Sequence, residues 1–122
     1  MCFNGRERYL DTIEAFSESD EFNADHKVCE LWLSVDDGPI IGMLRNGEHA
    51  WLMYLRFSGD AGFVTGSDGP VNQPQIKFTL SNGQVDEYPL SWCIPLEDCY
   101  KALAYFFASD GLRPEGIAWR ES

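Results

Sequence analysis

The side chains with the richest chemistry are few in this chain, and they are badly spaced for catalysis. It has two histidines and four cysteines. A nucleobase deaminase that activates water on zinc needs His-x-Glu and, further on, Pro-Cys-x-x-Cys. His26 is followed by Lys27-Val28 and His49 by Ala50-Trp51, so neither opens such a site. Cys2, Cys29, Cys93 and Cys99 form no Cys-x-x-Cys, and none stands at a metal-finger spacing from a histidine. The Gly-x-Ser-x-Gly elbow, the phosphate loop, the His-Glu-x-x-His helix and the dinucleotide fingerprint do not occur. Asp60, Asp68 and the pair Asp36-Asp37 stand in glycine-containing loops and offer hard oxygen ligands. The regular calcium-loop spacing is missing, however, and turn-forming aspartates are far commoner than calcium ligands. The expectation is a protein with no catalytic, cofactor-binding or metal-binding residues. One catalytic alternative stays open, a small hydrolase working through paired carboxylates. The sequence does not show which of its 20 acids face each other.

The elements that would position any site can be read from periodicity. Lys27–Val35 alternates Cys29, Leu31, Leu33 and Val35 with Glu30, Trp32 and Ser34, the pattern of a half-buried strand. Asp36-Asp37-Gly38-Pro39 turns the chain into a second strand, Ile40–Leu44, and Asn46-Gly47 marks a hairpin. Ala50–Phe57 is apolar on both faces apart from Tyr54 and Arg56, which places it inside the sheet. Ser58–Pro74 is a loop rich in glycine and proline around a short strand at Phe63–Thr65. Ile76–Leu80 and Val85–Leu90 form a further hairpin about Ser81-Asn82-Gly83. Leu96, Cys99, Tyr100, Leu103, Phe106 and Phe107 then recur at helical spacing after Pro95. Gly111 ends that helix, Pro114 keeps it from resuming, and Ile117–Arg120 is a closing strand. Near the start, Asp11–Ser19 reads as a short helix, and Met1–Leu10 as a loosely ordered arm.

The expected fold is therefore α+β. It is an antiparallel β-meander of about six strands, with a C-terminal helix across one face and a short N-terminal helix. Short hairpin links favour antiparallel pairing over crossovers. The core between sheet and helix is expected from Trp51, Phe57, Phe78, Leu103 and Phe107. At 122 residues and 44% apolar composition, one domain over residues 1–122 is the expectation. Met1–Leu10 has charges but no apolar h-region, and no apolar run approaches a membrane span. A soluble, cytoplasmic protein is the simplest reading.

Charge narrows the partner. Lys and Arg number 9 against 20 Asp and Glu, a net charge of −11. Direct nucleic-acid binding draws most of its affinity from phosphate neutralisation, so this balance argues against it. The same balance suits a protein partner whose own surface is basic. Trp32 and Tyr54 share strands with Glu30 and Arg56 and, by parity, can point away from the helix. They then serve either as interface anchors or as packing beneath the N-terminal segments.

The stretch Pro95–Trp119 also carries a family resemblance. A strand residue Trp92 leads to Pro95, then Ala102, Phe106 or Phe107, Gly111, Arg113, Pro114 and Trp119. This pattern resembles the C-terminal signature of immunity protein family one of bacterial polymorphic toxin systems, and the likeness extends back to roughly Leu31. The resemblance implies a non-catalytic protein that binds and inhibits a cognate toxin, often a nucleic-acid deaminase acting on cytosine. Acidity then has a use, since carboxylates can occupy the basic groove meant for a polyanion. The expected partner-binding surface consists of Trp32, Asp36, Asp37, Glu48, Tyr54, Asp60, Phe63 and Asp68, with no cofactor. The alternative is a binding module for some other protein.

Overall fold

Alternation in three successive stretches builds the centre of the molecule. A computed structural model describes residues 2–3, 6–7, 28–35, 38–67, 69–70, 72–80 and 82–121. The expected helix at Asp11–Ser19 lies outside these residues. Two short strands, β1 (Cys2–Phe3) and β2 (Arg6–Glu7), pair with each other. Strand β1 also lies against β3 (Val28–Ser34), with Cys2 opposite Trp32 and Phe3 opposite Leu31. Parts of the segment expected as a loose arm therefore extend the sheet, because the outer edge of β3 offers unpaired backbone groups. The meander continues through β4 (Ile40–Asn46), β5 (His49–Leu55) and the short β6 (Phe63–Thr65). The last strand, β9 (Trp119–Glu121), returns to pair with β6, giving the order β2-β1-β3-β4-β5-β6-β9. Every pairing in it is antiparallel.

Two layers cover this sheet. Helix α1 (Leu96–Ala108) lies on one face. There the inward residues of β3, β4 and β5 (Cys29, Leu31, Leu33, Ile41, Met43, Ala50, Leu52, Tyr54) meet Cys99, Ala102, Leu103 and Phe106. The hairpin of β7 (Gln75–Thr79) and β8 (Val85–Pro89) covers the other face. There Leu44, Trp51 and Val64 surround the fully buried Phe78. This hairpin is a separate two-stranded sheet rather than part of the meander. Two physical reasons account for it. The edge of β6 is taken by β9. The apolar side of β7 (Ile76, Phe78, Leu80) is more fully buried by lying flat over exposed sheet residues than by joining the sheet.

The core residues differ in detail from expectation. Trp51 and Phe78 belong to the hairpin side, not the helix side. Phe57 is 54% exposed, because it lies beyond Leu55, the last paired residue of β5. On α1 the fully buried aromatic is Phe106, while Phe107 packs at the margin.

The ends of α1 fix what surrounds the candidate surface. Pro95 is its N-cap with extended backbone, and Glu97 and Asp98 place negative charge against the helix dipole. At the other end the left-handed residue is Asp110, with φ 55°, not Gly111 alone. Gly111 N–H donates to the Phe106 carbonyl at 2.9 Å and Asp110 N–H to that of Phe107 at 3.4 Å, the two bonds of a Schellman cap. Gly111 follows with φ 102°, and a Cβ there would press on Val35 and Pro39 at 3.1 and 3.2 Å. The chain after the helix is thus laid tightly on the β3–β4 turn.

Candidate interaction surface

One end of the sheet collects the turns that leave β3 and β5 and the segment that leaves α1. Tyr54, the next-to-last residue of β5, donates its hydroxyl to the Gly111 carbonyl at 2.8 Å. Trp119 Nε1–H donates to the Pro114 carbonyl at 2.9 Å. These bonds and the close approach at Gly111 hold residues 111–114 against the sheet. Arg113 projects from this anchored loop, exposed, with its guanidinium carbon 4.8 Å from the centre of the Phe63 ring.

Arg56, just beyond the end of β5, brings its guanidinium carbon 5.6 Å from the centre of the same ring and 5.9 Å from that of Phe57. Its guanidinium is held by Asp60: Nε–H donates to Oδ2 at 2.8 Å and Nη2–H to Oδ1 at 2.9 Å. The Arg56 backbone N–H adds a third bond to Oδ2 at 3.0 Å. The pair is asymmetric, for the Asp60 side chain is 4% exposed and that of Arg56 62%. Hydrogen bonds from Arg56 hold the Asp60 carboxyl well below the usual carboxylate range. Phe57 lies beside Arg56, and Leu112 precedes Arg113 in the chain; each is more than half exposed. Exposed arginine beside a half-buried ring, Phe63, and an exposed one, Phe57, is the composition that anchors protein interfaces.

The expected surface residues fall in different places. Phe63 and Asp60 come together here, but Asp60 is consumed by Arg56 instead of facing outwards. Tyr54 is a correction. It is buried at 7% on the helix side, in edge contact with Phe106, because the even positions of β5 (Ala50, Leu52, Tyr54) all face α1. Trp32 does point away from the helix. It is half-buried, lying flat over Gly42, where any Cβ would overlap its ring. Glu48 is exposed in the β4–β5 turn, at the opposite end of β5. Seven strand residues separate it from Arg56, about 26 Å at the usual rise. Asp36, Asp37 and Asp68 lie outside the described residues.

Sequence reasoning placed Phe57 in the core, read Arg113 only as a signature residue, and left Arg56 and Leu112 off the expected surface. Arg56 and Asp60 four residues apart around Gly59 are a readable turn signal, but nothing in the spacing reveals that Arg113 reaches Phe63. Among the described residues there is no group of three or more His, Cys, Asp or Glu placed to hold a metal ion. Nor is any described helix long and apolar enough to cross a membrane. Burial pushes the Cys29 thiol up to about 11 and the Cys99 thiol up to about 12, so both are held as neutral core side chains rather than nucleophiles.

The family model of immunity protein Imm1 matches residues 8–121. The chain belongs to the Imm1 immunity protein family. No curated protein matches the chain. Membership carries an immunity function towards a toxin. The Imm1 match begins well before Leu31, so the family includes the segment leading into β3. In this Imm1 chain the signature residues of the C-terminal stretch act mostly in packing. Ala102 and Phe106 are in the core, Pro95 caps α1, Gly111 is pressed on the β3–β4 turn, and Trp119 bonds Pro114. Arg113 is different, for its side chain lies outside on Phe63.

Proposed function

We propose that this Imm1 protein binds a cognate toxin acting on nucleic acid, in the first instance a cytosine deaminase domain. It inhibits by occupying the toxin's basic substrate groove and catalyses nothing itself. The observation that carries this reading is the net charge of −11 on an immunity-family chain. A nucleic-acid enzyme must present Arg and Lys to phosphates. Carboxylates from a rigid protein can pair with those same groups through charge-assisted hydrogen bonds. Opposite potentials also speed the encounter.

The toxin-facing surface in this reading keeps Trp32 and Phe63 as anchors and Asp36, Asp37 and Asp68 as loop acids, with Glu48 at its periphery. Tyr54 and Asp60 support it from beneath, Tyr54 by holding Gly111 and Asp60 by holding Arg56. The cytoplasm is where such a toxin meets its substrate, so the protein acts there. The test is co-expression with the product of the adjacent gene, followed by purification and a deamination assay on single-stranded DNA. The expected result is one complex without activity, whose affinity falls as salt is raised. A deaminase left fully active in the complex would contradict the groove mechanism. A neighbouring toxin without deaminase activity would contradict the substrate class.

A further inference from the structure

We propose that Arg113, Phe63, Arg56 and Phe57, with Leu112 beside them, form a preorganised docking platform for a carboxylate-bearing segment of the toxin. This inference rests on the toxin-binding reading but assigns a contact of opposite sign to its acidic surface. Arg113 provides the strongest argument. Its exposed guanidinium is stacked 4.8 Å over Phe63 and, among the described residues, forms no ion pair. Guanidinium groups lying on aromatic faces keep their N–H edges free for a planar, bidentate acceptor such as a carboxylate.

The platform is also immobilised before binding. Two hydrogen bonds to a nearly buried Asp60 set the Arg56 guanidinium, which lies near both Phe57 and Phe63. Arg113 emerges from a loop fixed by Tyr54, Gly111 and the Trp119–Pro114 bond. An exposed long side chain ordinarily loses rotamer freedom on binding, and here much of that loss is taken on folding. Phe57 and Leu112, 54% and 59% exposed, supply the apolar surround that excludes water from such a charge pair. Asp60 is taken up by Arg56, and Glu121, opposite Phe63 in the β6–β9 pairing, also acts on Arg56, so Arg113 is the guanidinium left to receive a carboxylate from the toxin. The consequence is fixed orientation: acids on the Imm1 protein meet the groove, and Arg113 meets an acid outside it.

Charge-matched variants test this against the product of the adjacent gene. Arg113→Glu and Lys77→Glu each change the net charge from −11 to −13. Lys77 is exposed on β7, on the hairpin side, away from Phe63. The expected result is that Arg113→Glu weakens binding at least tenfold, chiefly by faster dissociation, whereas Lys77→Glu leaves the affinity within about twofold. Arg113→Lys keeps the charge but loses the planar fork and falls between them. Phe57→Ala weakens binding with unchanged salt dependence. Near-ultraviolet circular dichroism and melting temperature confirm that each variant is folded. If Arg113→Glu binds as the parent does, or if both charge reversals weaken binding equally, the platform is wrong and the toxin reading survives. If the parent protein itself holds no toxin, both fall together.

Discussion

At the scale of single residues, two side chains expected at the surface turn out to work underneath it. Tyr54 donates to the Gly111 carbonyl from a position 7% exposed, so Tyr54→Phe leaves that carbonyl short of a partner. Chemical denaturation should show a loss of about 1–2 kcal/mol, in the usual range for one buried hydrogen bond. Asp60 predicts a pH effect whose sign follows from its lowered pKa. A carboxyl more acidic in the folded than in the unfolded chain stabilises the fold at pH above the unfolded value near 4. That contribution disappears as pH falls from there through the folded value. The stability difference between parent and Asp60→Asn should therefore be present at neutral pH and shrink steadily below about pH 4. A difference independent of pH would mean that Asp60 acts only through its shape. The thiols give a third check. With Cys29 raised to about 11 and Cys99 to about 12, both should resist a thiol reagent at pH 8 until the protein is unfolded. None of these roles was legible from residue type alone. Parity along β5 was ambiguous because Tyr54 suits a wet or a dry face, and the partner of Asp60 depends on the conformation of its turn.

At the scale of elements, strong periodicity was readable and stacking was not. Strands β3, β4 and β5 and helix α1 follow directly from alternation and from three- and four-residue spacing. The hairpin β7–β8 was equally visible as two strands, yet its place over the second face of the sheet was not. A period-2 pattern states that one side of a strand is buried, and leaves open what buries it. The same limit explains the misplacement of Trp51 and Phe78 on the helix side. Within α1, Phe106 and Phe107 are adjacent and both suit the apolar stripe, so only the packed structure separates them. Phe106 is 1% exposed. Phe106→Ala should cost about 3–5 kcal/mol, and Phe107→Ala clearly less, measured by urea denaturation at neutral pH. Equal losses would contradict the helix orientation. Arg113 shows what element-level reading misses most easily. Its partner Phe63 is 50 residues away in sequence, and the two meet only because β9 and the loop before it return to the edge of β6.

At the scale of the whole molecule, the described residues form a sheet covered on one face by α1 and on the other by the β7–β8 hairpin. The acidic balance was plain in the composition, and the C-terminal signature pointed to the Imm1 family that the match over residues 8–121 establishes. The direction of toxin recognition was less plain, because net charge describes the molecule and not where a single guanidinium such as that of Arg113 lies. An acidic protein with an exposed arginine lying on an aromatic ring at one corner can set orientation as well as attraction. The central claim is that this protein stops a toxin by binding it, with no reaction of its own. The most direct measurement is a calorimetric titration of the purified protein into the isolated toxin domain of the adjacent gene, with the toxin's activity followed in the same samples. The account predicts saturable one-to-one binding, with activity lost in proportion to the complex formed. Full toxin activity at saturation, or no heat of binding at all, would contradict it.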